Sequence, residues 1–344
     1  MPDFLRDAID NINSAWARAL ERLTEPFKHV DATGDAAPSS EGRSRRVWWL
    51  VSLLATFMLA YYPLGMFLYQ TIDDDVDMKS APLYTVEGGS RAVSIVVTMI
   101  SQQTEYWSPN KPFWMPASAL DNMPNYQTGM IYAMSRFAIE LGDYLGRVRG
   151  SSGMDPNLDL AAGLLKTDPT TWYWGQGNIL PMPTAESRYR EAAQALMIYN
   201  RQVAEGKANY DRRADNLISF LDRVAADLGS ASSALDNRVS ESDAGFFDSK
   251  ADDVFYEVKG KLYAYHMILR EIGVDFESVI AQKQAAGIWT NMLQSLRKAS
   301  VMDPLIIANG PQGSLFVPSH LSQLGFDLLR ARTQIREATD ALQK

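Results

Sequence analysis

The sequence predicts an all-α protein in which a single-pass transmembrane anchor is followed by a helical periplasmic domain with long, coiled-coil-like helices. An apolar run begins at Val47 and ends at Tyr69, and it contains no Asp, Glu, Lys or Arg. Most of the remaining chain places apolar residues at steps of three and four, which is the helical period. We therefore predict a cytoplasmic helix and linker over residues 1–46, the anchor over 47–69 and the periplasmic domain over 70–344.

The composition limits the function. Of the 344 residues, 46% are hydrophobic, and only one segment reads as membrane-like. The net charge of -8 argues against nucleic-acid binding, which depends on Lys and Arg neutralising phosphates. The chain has no cysteine, so disulfides, thiolate metal sites and a cysteine nucleophile are excluded. Its three histidines have no spacing that predicts a metal site.

The anchor is predicted to be uncleaved and oriented. As a helix, the run would be about 34 Å long, enough to cross a hydrocarbon core of roughly 30 Å. Forty-six residues precede it, and it lacks the small-residue exit of a signal peptide. Arginines precede it and aspartates follow it, which places the N-terminus in the cytoplasm and the C-terminal domain in the periplasm of a bacterial inner membrane. These flanking residues are Arg43, Arg45 and Arg46 before the run, and Asp73, Asp74, Asp75 and Asp77 after it.

The aspartate run is predicted to be a solvated juxtamembrane stretch. A Ca²⁺ loop is the less favoured alternative, since the run lacks the mid-loop glycine and the closing glutamate. On the other side of the anchor, residues 3–23 predict an amphipathic helix that packs on the inner leaflet or on a partner helix. Residues 31–44 have the composition of a flexible linker.

Beyond the anchor, helices are predicted over residues 89–106, 125–148, 157–166, 250–272 and 275–300. From Thr184 onward a heptad-like seam runs to Leu235. As one helix, Ala185 to Asp236 would be roughly 78 Å long, and the alternative is two helices broken around Gly206. A second seam from Leu321 to Leu342 ends the chain and requires a partner. Residues 303–318 contain an Asn-Gly pair and allow a short hairpin.

Two features could bind a ligand. Trp172, Tyr173 and Trp174 precede Gln176 and Asn178, a combination that suits stacking on a glycan. The favoured interpretation is that these aromatic rings close the core. Arginines after this loop could bind lipid headgroups or phosphorylated glycans, although solvated faces and ion pairs are favoured. The arginines in the candidate ligand set are Arg188, Arg212 and Arg213.

The remaining motifs give little support for a functional site. Ser295 and Lys298 match the S-x-x-K pattern of penicillin-interacting enzymes, but the partner motifs S-D-N and K-T-G are missing. His266 lies at the edge of an apolar helix face and is predicted to be structural. No residue set predicts a catalytic site, a metal site or a cofactor.

Several blocks together resemble a known family. They are NKPFWMPASALDNMPNYQTGM, LGRVRGSSGMDPNLDLAAGLL, YDRRADNLISFLDRVAADLGS, ADDVFYEVKGKLYAYH and HLSQLGFDLLRARTQIREA. They are similar to the proteobacterial family called domain of unknown function 2333, and the resemblance covers the chain from about residue 45 onward. It implies an inner-membrane protein, and it supplies no catalytic residues.

These observations favour an envelope scaffold or accessory subunit that acts through helix-helix interactions. Its expected partners are the lipid bilayer and, through the helical seams, a protein partner or a second copy. The first alternative is a periplasmic protein that binds lipid or peptidoglycan fragments. The second is an envelope hydrolase that uses Asp252 and Asp253 with Glu257, although capping and solvation are the favoured roles of these carboxylates.

Overall fold

The computed structural model describes residues 40–70, 72–145, 154–174, 180–241, 249–304, 307–310 and 319–344. This part of the chain is helical and contains no β-strand, as the sequence predicts. Its α-helices are α1 (Ser40–Tyr69), α2 (Arg91–Glu105), α3 (Asn122–Glu140), α4 (Pro156–Leu165), α5 (Ala185–Ala204), α6 (Ala214–Glu241), α7 (Ser249–Asp275), α8 (Glu277–Gln282), α9 (Ala286–Ser300) and α10 (His320–Gln343). The described residues fall into two units, one that ends at Met58 and one that begins at Leu59.

The apolar helix α1 contains the predicted anchor. Its segment Val47–Leu68 is long and apolar enough to cross a membrane, and the most apolar stretch of that segment is entirely unburied. The helix continues through Pro63 without a break. It also begins earlier than predicted, because the last residues of the predicted linker, 40–44, are already helical. The predicted amphipathic helix over residues 3–23 lies outside the described residues.

Helix α7 is the centre of the body, and α2, α3, α6 and α9 pack around it. Its closest neighbour is α3, and two glycines make that approach possible. A side chain at Gly129 would overlap the backbone carbonyl of Glu257, and one at Gly260 would overlap the carbonyl of Tyr126. Glycine is required at both positions because no larger residue allows the two backbones to come this close.

Both predicted seams are used inside the chain. The row Leu217, Leu221, Val224, Leu228, Ala231 and Leu235 of α6 is buried, and so is the row Leu321, Leu324, Leu328, Ala331, Ile335, Ala338 and Leu342 of α10. The two helices pack on each other, and α9 covers α10 as well. The interpretation of the seams as open surfaces for another protein is therefore wrong, because the partner that α10 requires is α6 of the same chain.

The long segment from Ala185 is two helices, which confirms the alternative and excludes the 78 Å rod. Helix α5 ends at Ala204, and Gly206 follows with a φ of 70°, a conformation that glycine adopts without strain. The hydroxyl of Tyr199 donates to the carbonyl of Asn209 at 2.6 Å and so holds the connection against α5. The apolar period continues across the connection although the helix does not.

Three further predictions need correction or fall partly outside the described residues. The helix predicted over 275–300 is interrupted by Gln284, whose φ is 53°, so α8 and α9 are separate. The helix predicted over 125–148 continues past α3 only as a π-helical turn at Leu141–Leu145, and residues 146–148 are not described. Of the predicted hairpin, residues 305–306 and 311–318 are not described, and Asn309 forms an isolated bridge with Ser319, which lies one residue beyond it.

Candidate functional site

The residues that connect α1 to the body form the best-defined polar site in residues 59–344. We call residues 72–78 the juxtamembrane strap. Val76 is buried in the core, and Ile72 and Met78 pack against the core with partial burial. These apolar side chains bring the intervening aspartates within reach of the body.

Two basic side chains of α7 make three contacts with the strap. Nζ of Lys259, which is fully buried, lies 2.8 Å from a carboxylate oxygen of Asp74. The guanidinium of Arg270 donates to the backbone carbonyls of Val76 and Met78, both at 2.6 Å. Such charge-assisted hydrogen bonds are stronger than those between neutral groups, and burial removes competing water.

A fourth contact is more exposed. Arg297 donates two hydrogen bonds to the carboxylate of Asp77, at 2.7 and 2.8 Å. This hydrogen-bonded guanidinium lowers the pKa of Asp77 below its usual value. Because both side chains are largely exposed, solvent screens the pair and its contribution to stability is small.

Tyrosines of the body complete the attachment. The hydroxyl of Tyr126 donates to the carbonyl of Asp73 at 3.1 Å, and that of Tyr263 donates to the carbonyl of Asp75 at 3.0 Å. Burial raises the pKa of both phenols, so they remain protonated donors. The prediction of a solvated run holds for the side chains of Asp73, Asp75 and Asp77, which are exposed. It needs correction for Asp74, which pairs with Lys259, and for the backbone of the run, which accepts hydrogen bonds from the body.

The contacts from α7 follow the order of the strap. Lys259 binds Asp74, Tyr263 binds Asp75, and Arg270 binds Val76 and Met78. Lys259 and Arg270 are about 16 Å apart along the helix axis, and four extended residues span roughly 13 Å. The strap therefore runs alongside α7 in the same direction as the helix. Among the described residues, no cluster of His, Asp and Glu is arranged to hold a metal ion.

A cluster of aromatic rings forms a second feature. Trp172 is its centre, with ring centroids of Trp114, Trp174 and Tyr173 at 5.6, 5.3 and 5.9 Å. Phe113 extends the cluster through Trp114, at 5.1 Å. We call these five residues the aromatic surface. Phe113, Trp114, Tyr173 and Trp174 are 79%, 50%, 48% and 59% exposed.

The favoured interpretation of the aromatic loop is therefore wrong for Tyr173 and Trp174, which do not close the core. Trp172 alone is partly buried. Gln176 and Asn178, the polar half of the predicted glycan platform, lie outside the described residues, and a role in binding glycans stays a prediction. The sequence analysis does not predict that Phe113 and Trp114 belong to this site. The sequence feature that indicates them is a pair of adjacent aromatic residues in a Pro-rich loop, because such a loop offers few neighbours that could bury the two rings.

The aromatic surface adjoins the end of α1. The hydroxyl of Tyr62 donates to the carbonyl of Phe113 at 2.7 Å, and Pro116 packs directly over Gly65. This face of the helix is consequently half-buried, whereas the opposite face remains exposed. The exposed residues there are Leu64, Phe67 and Leu68, at 62%, 79% and 65%.

The predicted arginines do not form one anion site. Arg188 lies in the first turn of α5, whereas Arg212 and Arg213 follow the end of that helix, which is about 30 Å long. Arg212 stacks on the ring of Tyr210 at 5.2 Å, and Arg213 pairs with Asp215 at 2.6 Å. Local stacking and ion pairing therefore account for the last two arginines.

The carboxylates of the predicted hydrolase lie at the start of α7. Burial, together with the negative charges of Asp121 and Asp253, raises the pKa of Asp252 to about 6. Asp253 accepts a hydrogen bond from Asn125 at 2.7 Å, and Glu257 pairs with Lys261 at 2.6 Å. Asp252 can thus take up a proton in mildly acidic solution. The other two carboxylates are occupied by structural partners, which supports the interpretation that they cap and pair.

The described part of the chain thus defines an all-helical protein with one apolar helix and a helical body bonded to the end of that helix. The family model described as an uncharacterized protein conserved in bacteria, DUF2333, matches residues 48–246 and 247–321. The chain belongs to this family, which confirms the resemblance seen in the sequence. Neither the curated proteins nor the solved structures contain a match.

Proposed function

We propose that the protein is an inner-membrane scaffold or accessory subunit whose periplasmic body is fixed to its anchor by the juxtamembrane strap. The observation that carries the proposal is the set of bonds from Lys259, Arg270 and Arg297 to the strap. A flexible tether is sufficient for a body that only needs to stay near the membrane, and such tethers are rich in Gly and Ser. The strap begins within three residues of the end of α1 and is bonded to the body, so little free chain separates the helix from the body.

The orientation rests on charge. Arginines precede the apolar segment and four aspartates follow it, the asymmetry expected when the N-terminus is cytoplasmic. The body would then lie in the periplasm. A phosphatase fused after Lys344 should be active in cells, and an inactive fusion beside a working cytoplasmic reporter at the same site would overturn this orientation.

A protein partner would contact surfaces other than the heptad seams. Since both heptad seams are buried inside the chain, an interaction must use other surfaces, including the transmembrane segment and the exposed outer faces of the body. A short, bonded connection suits such a protein because the body is then held close to the end of α1.

A linker insertion tests the proposal. A Gly-Ser linker of about ten residues placed after Gln70 would separate α1 from the strap without changing either. In-cell crosslinking with mass spectrometry should then lose the neighbours that the unmodified protein captures. The matched control carries the same linker after Lys344 and should keep them.

Folding of the linker variant is checked separately by protease resistance of the membrane-inserted protein. If the variant is folded and inserted and still captures the same neighbours, the fixed connection has no functional role. An exported fragment without α1 that fully replaces the intact protein in cells would lead to the same conclusion.

A further inference from the structure

We propose that the aromatic surface lies in the headgroup layer of the bilayer, on the leaflet from which α1 emerges. The body would then contact the membrane directly as well as through its anchor. This inference is independent of the scaffold function, since a body of any activity could rest on lipid in this way.

The depth of the contact with α1 is the first argument. Tyr62 and Gly65, which meet Phe113 and Pro116, lie before the exposed residues Phe67 and Leu68 in the same helix. Exposed apolar side chains of an anchor are covered by lipid, so lipid should reach at least to Phe67. The loop that carries Phe113 contacts the helix about 3–8 Å nearer the bilayer centre and must therefore be at lipid depth too.

The chemistry of the surface is the second argument. Tryptophan and tyrosine combine an apolar ring with a polar atom, which suits the boundary between headgroups and acyl chains. Phe113 and Trp174 are more than half exposed, and Leu180, close to Tyr173 in the chain, is 77% exposed. The N–H of Met182 donates to the carbonyl of Tyr173 at 2.9 Å and brings Leu180 back toward the rings. An apolar patch of this kind is unfavourable in water.

The arrangement of the rings favours lipid over a glycan. A sugar stacks on a flat aromatic face, and neighbouring rings would need to be nearly coplanar to extend that face. Here Trp172 meets Trp114 and Trp174 at interplanar angles of 71° and 70°, and Phe113 meets Trp114 at 81°. These edge-to-face contacts give an irregular apolar surface, which flexible acyl chains and headgroups can cover.

The absence of cysteine from the sequence permits a direct test. Phe113→Cys and Trp174→Cys, each labelled with an environment-sensitive fluorophore, would be reconstituted as the full chain in vesicles of phosphatidylethanolamine and phosphatidylglycerol. Phe326→Cys serves as the matched control because Phe326 is an equally apolar, 66% exposed residue on α10. Lipids carrying a nitroxide at the headgroup or deep in the acyl chain would then act as quenchers.

We expect the labels at positions 113 and 174 to be quenched several-fold more by the headgroup nitroxide than the label at position 326. Equal quenching at all three positions would overturn the proposal. So would labels at 113 and 174 that stay accessible to aqueous iodide until a soluble peptidoglycan fragment is added, since that result assigns the surface to a glycan. Should one substitution disturb the fold, Leu180→Cys provides a further exposed position for the same measurement.

Discussion

Helices α1 and α10 both carry long apolar patterns, yet the structure treats them in opposite ways. In α10 the apolar residues form one stripe, and this stripe is buried against α6. In α1 apolar residues occur on all faces, and those from Val47 to Leu59 are exposed. The number of helix faces that carry apolar residues therefore indicates what the helix contacts. A helix that is apolar on one face packs on another helix, whereas a helix that is apolar on all faces is suited to lipid.

The largest effect should come from the buried stripe of α10. Leu328→Ala removes a fully buried side chain and should lower the free energy of unfolding by about 2–5 kcal/mol. Its neighbour Leu329 is 45% exposed, so Leu329→Ala is a matched control that should cost less than about 0.5 kcal/mol. Denaturant unfolding of the purified protein compares the two, and similar losses would show that the α6–α10 contact is not a packed interface.

The next effect is a pH dependence of stability, which arises from His266, a buried residue of α7. Burial, aided by the positive charges of Arg270 and Arg297, lowers the pKa of His266 from 6.5 to about 4. Between these values the unfolded chain binds a proton that the folded protein does not, so stability falls as pH falls through this window. The loss due to His266 should reach about 2 kcal/mol near pH 5.

The measurement is the pH dependence of unfolding in wild type and in His266→Gln, which should lack this loss. Asp252 acts in the opposite direction, because its raised pKa means that the folded protein holds a proton more tightly than the unfolded chain. Only the difference between the two proteins therefore reports His266. Parallel pH profiles would contradict the prediction.

A smaller effect on the free energy of unfolding is expected at the strap, which is only partly buried. Asp74→Asn removes a charge partner of the buried Lys259, which keeps a second carboxylate, Asp303, at 3.4 Å. We expect a loss of about 1–2 kcal/mol and faster proteolysis of residues 70–78. Arg297→Gln breaks only the exposed pair with Asp77 and should cost less than about 1 kcal/mol. Equal effects of both changes would mean that burial of Lys259 contributes nothing.

The smallest effect on folding is expected at the aromatic surface. Trp174→Gln changes a residue that is 59% exposed and should alter the free energy of unfolding by less than about 0.5 kcal/mol in detergent. A loss of several kcal/mol would place Trp174 in the core instead. That outcome would extend the interior to the end of α1 and weaken the contrast between the two regions.

Most of the helices can be predicted from the sequence because the spacing of apolar residues along a short segment is enough to indicate a helix. This spacing predicts α2, α4, α7 and α10 within a few residues. It allows either one helix or two at Gly206, and it fails at Gln284, because both residues interrupt the helix without interrupting the apolar pattern. A break at a non-glycine residue such as Gln284 has no composition signal at all.

The candidate site was less predictable. The aspartates of the strap are recognisable as charges, but their partners Lys259 and Arg270 lie more than 180 residues away in the sequence. Only the packing of α7 brings them together. Phe113 and Trp172 are likewise distant in the sequence and become part of one surface only in the folded chain. The need for glycine at positions 129 and 260 is also visible only once α3 and α7 are packed together.

The spacing of the strap contacts makes the connection sensitive to the length of the strap, and less sensitive to which apolar residues stand at positions 76 and 78. Arg270 binds backbone carbonyls, so the side chains of Val76 and Met78 are free to change to other apolar residues without loss of those hydrogen bonds. A single residue inserted between Asp74 and Val76 would shift every later contact out of register with α7. Insertions or deletions in this segment should therefore loosen its attachment to the body more than apolar substitutions at Val76 and Met78 do.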